Sequence, residues 1–119
     1  MTSPVRGEIE LRPDRSVRVH ISPDEPVFAG HYPGRPVFPG MCLVEYVRLG
    51  ALRTAPAPDL ELAGLESVRF RSPVLPGDDL TITMDWNREG QSWCCTARAS
   101  TGRGVAANLR LRFRHVDAP

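Results

Sequence analysis

One histidine and one glutamate, fourteen positions apart, are the residues of this sequence whose types and spacing could do acid–base chemistry. His31 lies in residues 30–40, which are rich in proline and glycine, and Glu45 lies in the apolar run 41–52. A histidine can accept a proton near neutral pH, and apolar surroundings keep a carboxyl group protonated to higher pH. The two residues are therefore a candidate acid–base pair in an apolar site.

The apolar run 41–52 predicts a helix enclosed by other structure, because its apolar residues lie around the whole circumference. Met41, Glu45 and Leu49 share one face at helical spacing. An ionised carboxylate buried there would lose its hydration, so it must be paired, protonated or in contact with water. An ion pair with Arg48, three residues further on, is one alternative that the helix alone leaves open.

The segment before this helix positions His31. Proline and glycine remove backbone freedom and backbone donors, so a stiff, irregular segment holds the histidine. Pro39 and Gly40 then open the helix, and its first free amides, at the positive end of its dipole, face the space between His31 and Glu45. A base, an acid and amides able to bind an anion are the components of a catalytic site.

Two sequence blocks resemble one known family. Residues 31–40, His-Tyr-Pro-Gly-Arg-Pro-Val-Phe-Pro-Gly, followed by Glu45, resemble the active-site signature of FabZ-type beta-hydroxyacyl-acyl carrier protein dehydratases, which have the hotdog fold. Residues 63–65, Ala-Gly-Leu, and 69–78, Arg-Phe-Arg-Ser-Pro-Val-Leu-Pro-Gly-Asp, are similar to the strand and turn that follow the helix in that family. The resemblance covers residues 19–114.

The resemblance implies dehydration of a beta-hydroxyacyl thioester to a trans-2-enoyl thioester, in fatty acid or polyketide and polyene biosynthesis. His31 would remove the proton from the alpha carbon, neutral Glu45 would protonate the departing hydroxyl, and the Gly40 amide would polarise the carbonyl. In this family the histidine and the carboxylate of one site come from different subunits. The resemblance implies no metal or organic cofactor, and it implies that phosphopantetheine carries the substrate.

The resemblance also implies a substrate tunnel and protein partners. The tunnel would be lined by Tyr32, Phe38, Pro39, Met41, Leu49 and Phe70, and basic residues near the two blocks, Arg35, Arg69 and Arg71, would contact the acyl carrier protein. We expect a homodimer or a higher even oligomer, with a heterodimer with a related hotdog subunit as the alternative.

One part of the helix departs from the family pattern. After Glu45 the family commonly has small residues and a glutamine, whereas this sequence has Tyr46-Val47-Arg48. The bulkier helix predicts a specialised member of secondary metabolism. Arg48 could hold Glu45 ionised, but an acid catalyst needs its proton, so we expect Arg48 to turn away from Glu45.

Two other functions compete with dehydration. A hotdog thioesterase would use a helix carboxylate to activate water, but would leave His31 without a task. A non-catalytic hotdog subunit of a heteromeric dehydratase would only shape the dimer, but would not need both His31 and Glu45. The presence of both residues favours the dehydratase.

The element order predicts an α+β fold. Residues 8–11 and 16–21 alternate in polarity and form a short hairpin, and the helix and four strands follow, at 60–72, 80–87, 92–100 and 105–114. Short turns favour antiparallel pairing, and one long helix needs a sheet around it. We expect residues 1–119 to form a single hotdog domain, with a curled antiparallel sheet of about five to six strands wrapped around one long central helix.

Composition excludes several function classes. All 15 basic residues are arginine, which excludes a Schiff base on a lysine, and a net charge of +1 argues against nucleic acid. No apolar run approaches the roughly 20 residues of a membrane span, and the N-terminus lacks the apolar core of a signal peptide. We therefore expect a cytoplasmic protein that does not bind membranes.

Three groups of residues outside the motif have ordinary structural interpretations. Cys42, Cys94 and Cys95 have no metal-binding spacing and indicate structural thiols in a reducing compartment, and His20 and His115 indicate surface positions. Alternate residues of the last strand, Arg110, Arg112 and Arg114, share a face that is either a solvated sheet surface or a contact for an acidic carrier protein.

Overall fold

The computed structural model describes Val5 and residues 7–30 and 38–116. In chain order the elements are strands β1 (Ile9–Leu11) and β2 (Val17–His20), helices α1 (Pro26–Gly30) and α2 (Gly40–Thr54), and strands β3 (Leu60–Phe70), β4 (Asp79–Glu89), β5 (Ser92–Thr101) and β6 (Gly104–His115).

The six strands form one antiparallel sheet in the order β1-β2-β4-β5-β6-β3. Strands β4, β5 and β6 follow one another through short turns, and Gly90 takes the left-handed φ of 62° that the first of these turns requires. Strand β3 joins the far side of β6 and forms an edge of the sheet. This arrangement confirms the predicted α+β class and the predicted hairpin and four strands, with bounds that differ by one or two residues.

Helix α2 covers the inner face of the sheet. Its buried side chains include Leu43, Tyr46, Val47 and Ala51. The residues they join are mostly aliphatic or small and come from five strands: Val17, Val19, Leu62, Leu80, Ile82, Cys95, Ala97, Ala99, Ala107, Leu109, Leu111 and Phe113. Alanines on the central strands leave room for the helix, so a large helix side chain such as Tyr46 can be fully buried.

The prediction that α2 is enclosed on all sides is wrong for the described chain. The described residues cover the face that carries Glu45 only in part, and Met41 at the start of that face is 85% exposed. Leu49 and Leu52 are only partly buried. An apolar periodicity shows which positions avoid water, but it does not show whether the same chain covers them.

Helix α1 was not predicted from the sequence. It has five residues and begins with Pro26, whose fixed φ suits the first helical position. A helix of this length has little more than one turn, so it leaves no periodic pattern of apolar residues. Helix α1 is relevant to the candidate site, because its last residue directly precedes His31.

The outer face of the sheet carries a network of ion pairs. Arg110 and Arg112 both contact Glu66 and Glu89, and Arg114 contacts Glu61. The last-strand arginines are thus neutralised by neighbouring carboxylates. These ion pairs favour the interpretation as a solvated sheet surface over that of a carrier contact.

The cysteines and the outlying histidines have the structural roles that the sequence indicated. Cys42, Cys94 and Cys95 are buried and form no disulfide bond with one another, and burial raises the pKa of the Cys95 thiol to about 12. His20 is exposed and contacts Asp79 at 2.9 Å through Nδ1. No helix in the described part of the chain is long and apolar enough to cross a membrane.

Candidate active site

The candidate site begins at the N-terminus of α2. Pro39, in an extended conformation with ψ of 144°, precedes the helix as its N-cap residue and offers no side-chain hydrogen bond to the first amides. The amides of Cys42 and Leu43 donate to the Pro39 carbonyl at 3.0 and 3.2 Å, which begins the helical hydrogen bonding. The amide of Gly40 stands before these two, at the positive end of the helix dipole.

A cavity of about 390 Å³ opens at this end of the helix. Its wall is mostly apolar and consists of Phe38, Gly40, Leu43, Phe70, Arg71, Ser72, Pro73 and Val74. The amide of Phe38 donates to the Val74 carbonyl at 2.8 Å, which fixes the start of the helix against the segment after β3. The structure therefore brings Phe38, Gly40 and Phe70 together, as the sequence predicted for a substrate tunnel.

Glycine at the helix start leaves room for the aromatic ring above it. A Cβ on Gly40 would lie 2.6 Å from the Phe70 ring, which is closer than side chains pack. Phe70 is 55% exposed and covers one side of the cavity. A backbone amide without a side chain can approach a ligand closely, so Gly40 is suited to polarise a carbonyl in this cavity.

Glu45 lies one turn further along α2 and forms a two-point ion pair with Arg48. Arg48 donates from Nε to Oε1 of Glu45 at 2.6 Å and from Nη2 to Oε2 at 3.1 Å. Both side chains are partly screened from water, with 16% of Glu45 and 33% of Arg48 exposed. The expectation that Arg48 turns away from Glu45 is therefore wrong, because the three-residue helical spacing places its planar donors beside the carboxylate.

This ion pair has an electrostatic consequence. The hydrogen bond that Arg48 donates to Glu45 raises the pKa of Arg48. Interaction between two charges is reciprocal, so the guanidinium favours the ionised form of Glu45 by the same coupling. Apolar surroundings alone favour the protonated form of a carboxyl group, whereas a neighbouring guanidinium favours the ionised form.

The remaining predicted tunnel residues are more dispersed. Pro39 is half-buried beside Gly40, and Met41 points into solvent next to Glu45. Leu49 lies in a separate groove with Gly7, Glu8, Ile9, Leu52 and Arg53, so the chain does not bring it to the cavity at the helix start. More than two turns of helix separate Leu49 from Gly40 within one chain, and its place in the tunnel stays a prediction.

Some candidate residues lie outside the described residues. These are the proposed base, one tunnel residue and one carrier contact: His31, Tyr32 and Arg35. Across residues 7–30 and 38–116, no cluster of three or more histidine, cysteine or carboxylate side chains could hold a metal ion.

Arg69 and Arg71 line a groove of about 650 Å³ that also includes Arg98 and Arg110. Arg69 and Arg98 stand in register with Asn108 between them, so they share the outer face. Unlike Arg110, the other three arginines form no ion pair with any described residue. Arg71 lines both this groove and the cavity at the start of α2, so the two are neighbours.

Sequence reasoning missed several residues of the site. Leu43, Ser72 and Val74 line the cavity, and Arg98 joins the arginine groove. Arg98 could have been predicted as part of this groove, because pairing of the last two predicted strands places it opposite Asn108. No spacing in the sequence connected the segment after β3 with the start of α2.

The fold defines the class of protein first. One antiparallel sheet in this strand order with a single long helix on its inner face is a hotdog fold. A chain of the dehydratase heterocomplex ApeI:P from Xenorhabdus doucetiae has the same fold, with a TM-score of 0.72 and 21% identity over 97% of this chain and 100% of that chain.

Sequence comparison then identifies the family. The ApeI-like family model, described as ApeI dehydratase, matches residues 10–108. The 3-hydroxyacyl-[acyl-carrier-protein] dehydratase FabZ of Symbiobacterium thermophilum is 38% identical, and that of Dechloromonas aromatica is 30% identical, each over 92% of this chain and 84% of the relative. The chain belongs to the ApeI-like dehydratase family of FabZ-type hotdog enzymes, which are hydro-lyases.

Proposed function

We propose that this protein removes water from a beta-hydroxyacyl thioester on an acyl carrier protein and forms a trans-2-enoyl thioester, in fatty acid or polyketide biosynthesis. One structural observation carries the proposal beyond family membership. An apolar cavity opens at the start of α2, beside the Gly40 amide and one turn before Glu45. This arrangement offers an acyl chain an apolar surface and offers its carbonyl a polarising donor.

In the proposed reaction, His31 accepts the proton as the alpha C–H bond breaks. The Gly40 N–H donates to the thioester carbonyl and stabilises the negative charge that develops there. The carbon–carbon double bond forms as the bond to the beta oxygen breaks, and protonated Glu45 supplies the proton that turns the departing hydroxyl into water. His31 and Glu45 of one site would come from different subunits.

We infer that residues 1–119 form one hotdog domain that assembles as a homodimer or a higher even oligomer. Apolar side chains exposed in the isolated chain, Met41, Leu65 and Phe70, support a partner surface near the start of α2 and the edge strand β3. A heterodimer with a related hotdog subunit is the second candidate, since a chain of similar fold occurs in a dehydratase heterocomplex.

We propose the groove of Arg69, Arg71 and Arg98 as the contact for the acyl carrier protein. Three arginines without ion-pair partners among the described residues suit an acidic surface or the phosphate of a pantetheine arm. Arg71 lines both the groove and the cavity, so an arm anchored there could extend toward Gly40. We also propose a cytoplasmic location, consistent with three buried cysteines that form no disulfide bond with one another, and no nucleic-acid or membrane partner.

The decisive experiment offers the purified protein a beta-hydroxyacyl carrier-protein substrate, without added cofactor and with a chelator present. Enoyl product, absent with a His31→Ala variant, is the expected result. Release of free acid would instead indicate a thioesterase. No product, with a correctly folded protein, would indicate a non-catalytic subunit that needs an active partner.

A further inference from the structure

A buried carboxylate and a buried phenol meet in the core, away from the proposed chemistry. Glu25 is 4% exposed and Tyr46 is fully buried. Tyr46 donates its hydroxyl to Oε1 of Glu25 at 3.0 Å and accepts a hydrogen bond from the Gly7 amide at 2.7 Å. Burial is the main cause of the raised pKa of Tyr46, so its hydroxyl stays a neutral donor over the working pH range.

The two residues belong to the two segments that carry the proposed acid and base. Tyr46 directly follows Glu45 on α2, and Glu25 directly precedes α1, whose last residue adjoins His31. Glu25 also anchors the start of α1 through its backbone, because its carbonyl accepts from the Phe28 amide at 3.0 Å. The side-chain hydrogen bond therefore joins α1 to α2.

Aromatic packing connects the other side of the His31 segment to the same tyrosine. Phe38 stacks on Tyr46 with ring centroids 5.7 Å apart, and Phe28 contacts Phe38 at 5.9 Å. Phe28 precedes His31 in the chain and Phe38 follows it. Both flanks of residues 31–37 are thus packed around Tyr46.

We propose that Tyr46 and Glu25 are positioning residues that fix both flanks of the His31 segment against α2. Burial of a carboxylate in an apolar core is costly, and an apolar pair of similar size would pack there without that cost. A directional hydrogen bond, in contrast, fixes the distance and angle between α1 and α2. We call the hydrogen bond between Tyr46 and Glu25, with the aromatic packing around it, the brace. Its effect on catalysis rests on the proposed dehydration, whereas the existence of the brace does not.

The first test needs no activity. Tyr46→Phe removes one buried hydroxyl, and Thr54→Val is the matched control, since Thr54 places another buried hydroxyl at the far end of the same helix. Amide hydrogen exchange of residues 26–38 should become about tenfold or more faster in Tyr46→Phe and change less than about twofold in Thr54→Val. Equal exchange of this segment in the two variants, or no change in Tyr46→Phe, would overturn the brace.

The second test separates positioning of His31 from positioning of Glu45. If Tyr46→Phe misplaces His31, kcat should fall about tenfold to a hundredfold and KM should change less. Thr54→Val should retain kcat. In a hybrid dimer of one Glu45→Gln chain and one His31→Ala chain, the intact site takes His31 from the first chain and Glu45 from the second.

Tyr46→Phe placed in the Glu45→Gln chain should therefore abolish most of the hybrid activity, and the same substitution in the His31→Ala chain should not. The reverse dependence, or equal loss in both, would overturn the assignment to His31. A wild-type protein that shows no dehydration removes the proposed function, and the exchange measurement then still decides whether the brace exists.

Discussion

Arg48 holds the carboxylate of Glu45 with two nitrogens, at 2.6 and 3.1 Å, on a face of α2 that the described residues cover only in part. An exposed ion pair contributes roughly 0–1 kcal/mol, but this pair is partly screened from water and has bidentate geometry, so its coupling should be larger. The pair opposes protonation of the residue proposed as the acid. Catalysis then depends on the fraction of Glu45 that keeps its proton beside Arg48.

Replacement of Arg48 by glutamine should raise the pH at which activity is lost on the basic side. The guanidinium favours ionised Glu45, so its removal lets the carboxyl group keep its proton to higher pH. We expect the basic limb of the kcat profile to move upward by about one pH unit, with faster turnover at neutral pH.

Arg53→Gln, in the last turn of the same helix, is the matched control and should leave the profile unchanged. A basic limb that stays in place in Arg48→Gln would mean that the ion pair opens in the working enzyme, or that another group is the acid.

The catalytic pair predicts a non-additive response. His31→Ala and Glu45→Gln should each lower dehydration by about 10²- to 10⁴-fold, and the double variant should be little slower than either, because both groups act in one transition state. His20→Ala, at an exposed histidine, is the control and should retain activity. Activity within about tenfold of wild type in either single variant, with folding intact, would remove that residue from the mechanism.

A shared site predicts complementation between inactive chains. Mixing His31→Ala with Glu45→Gln under conditions of subunit exchange should restore part of the wild-type activity, because hybrid dimers carry one intact site. Sedimentation of the wild-type protein should show a dimer or a higher even oligomer. A fully active monomer would rule out a site made by two subunits, and an inactive monomer would point to a missing partner subunit.

The sequence predicted the sheet well because its signals are local. Alternating polarity predicted the strands, and glycine or aspartate at the turns predicted their ends to within one or two residues, as for β4 and β5. Helix α1 was missed because five residues hold no periodicity. The partly covered face of α2 was misinterpreted because Met41 and Leu49 are apolar whether their own chain or another surface covers them.

The site residues could be predicted only where they belong to a recognisable sequence motif. Residues 31–40 and Glu45 were recognisable as one signature, which also indicated Gly40 and Phe70. The three-residue spacing of Glu45 and Arg48 allowed their ion pair, but spacing alone could not decide between this acceptor and another one nearby in three dimensions. The hydrogen bond from Tyr46 to Glu25 spans 21 positions and two helices, so sequence spacing could not reveal it.

Gly40→Ala should weaken substrate binding more than it weakens folding. The new methyl group would approach the Phe70 ring to 2.6 Å, and that ring is exposed enough to swing aside. Alanine is favoured over glycine in a helix by about 1 kcal/mol, which offsets part of the strain. We expect a KM several-fold higher, with a melting temperature within a few degrees of wild type.

Gly40→Ala combined with Phe70→Leu should recover part of the KM, since the smaller side chain removes the clash. Gly64→Ala is the control, because a Cβ there meets nothing within 4 Å. A KM unchanged in Gly40→Ala would mean that the substrate does not use this cavity.

Asp78 should make the stability of the protein depend on pH in the acid range. Its carboxylate accepts hydrogen bonds from Arg103 at 2.9 Å and from the Leu75 amide at 2.7 Å, and the bond from Arg103 holds the pKa of Asp78 below its usual value of 3.8. A carboxyl group with a lowered folded-state pKa stabilises the fold above its unfolded-state pKa, and this contribution is lost as pH falls through the folded-state value.

Asp78→Asn removes the charge and turns a donor toward Arg103 or Leu75, so the free energy of unfolding at pH 7 should fall by about 1–3 kcal/mol. The difference from wild type should shrink as pH falls below about 4, since the wild-type carboxylate then becomes protonated. Urea unfolding at pH 7 and pH 3 measures both values, with Asp24→Asn, at an exposed carboxylate, as the control. Other carboxylates with lowered pKa, such as Asp79, are present in both proteins and cancel in the comparison. An equal difference at the two pH values would show that Asp78 acts through its shape alone, without a contribution from its charge.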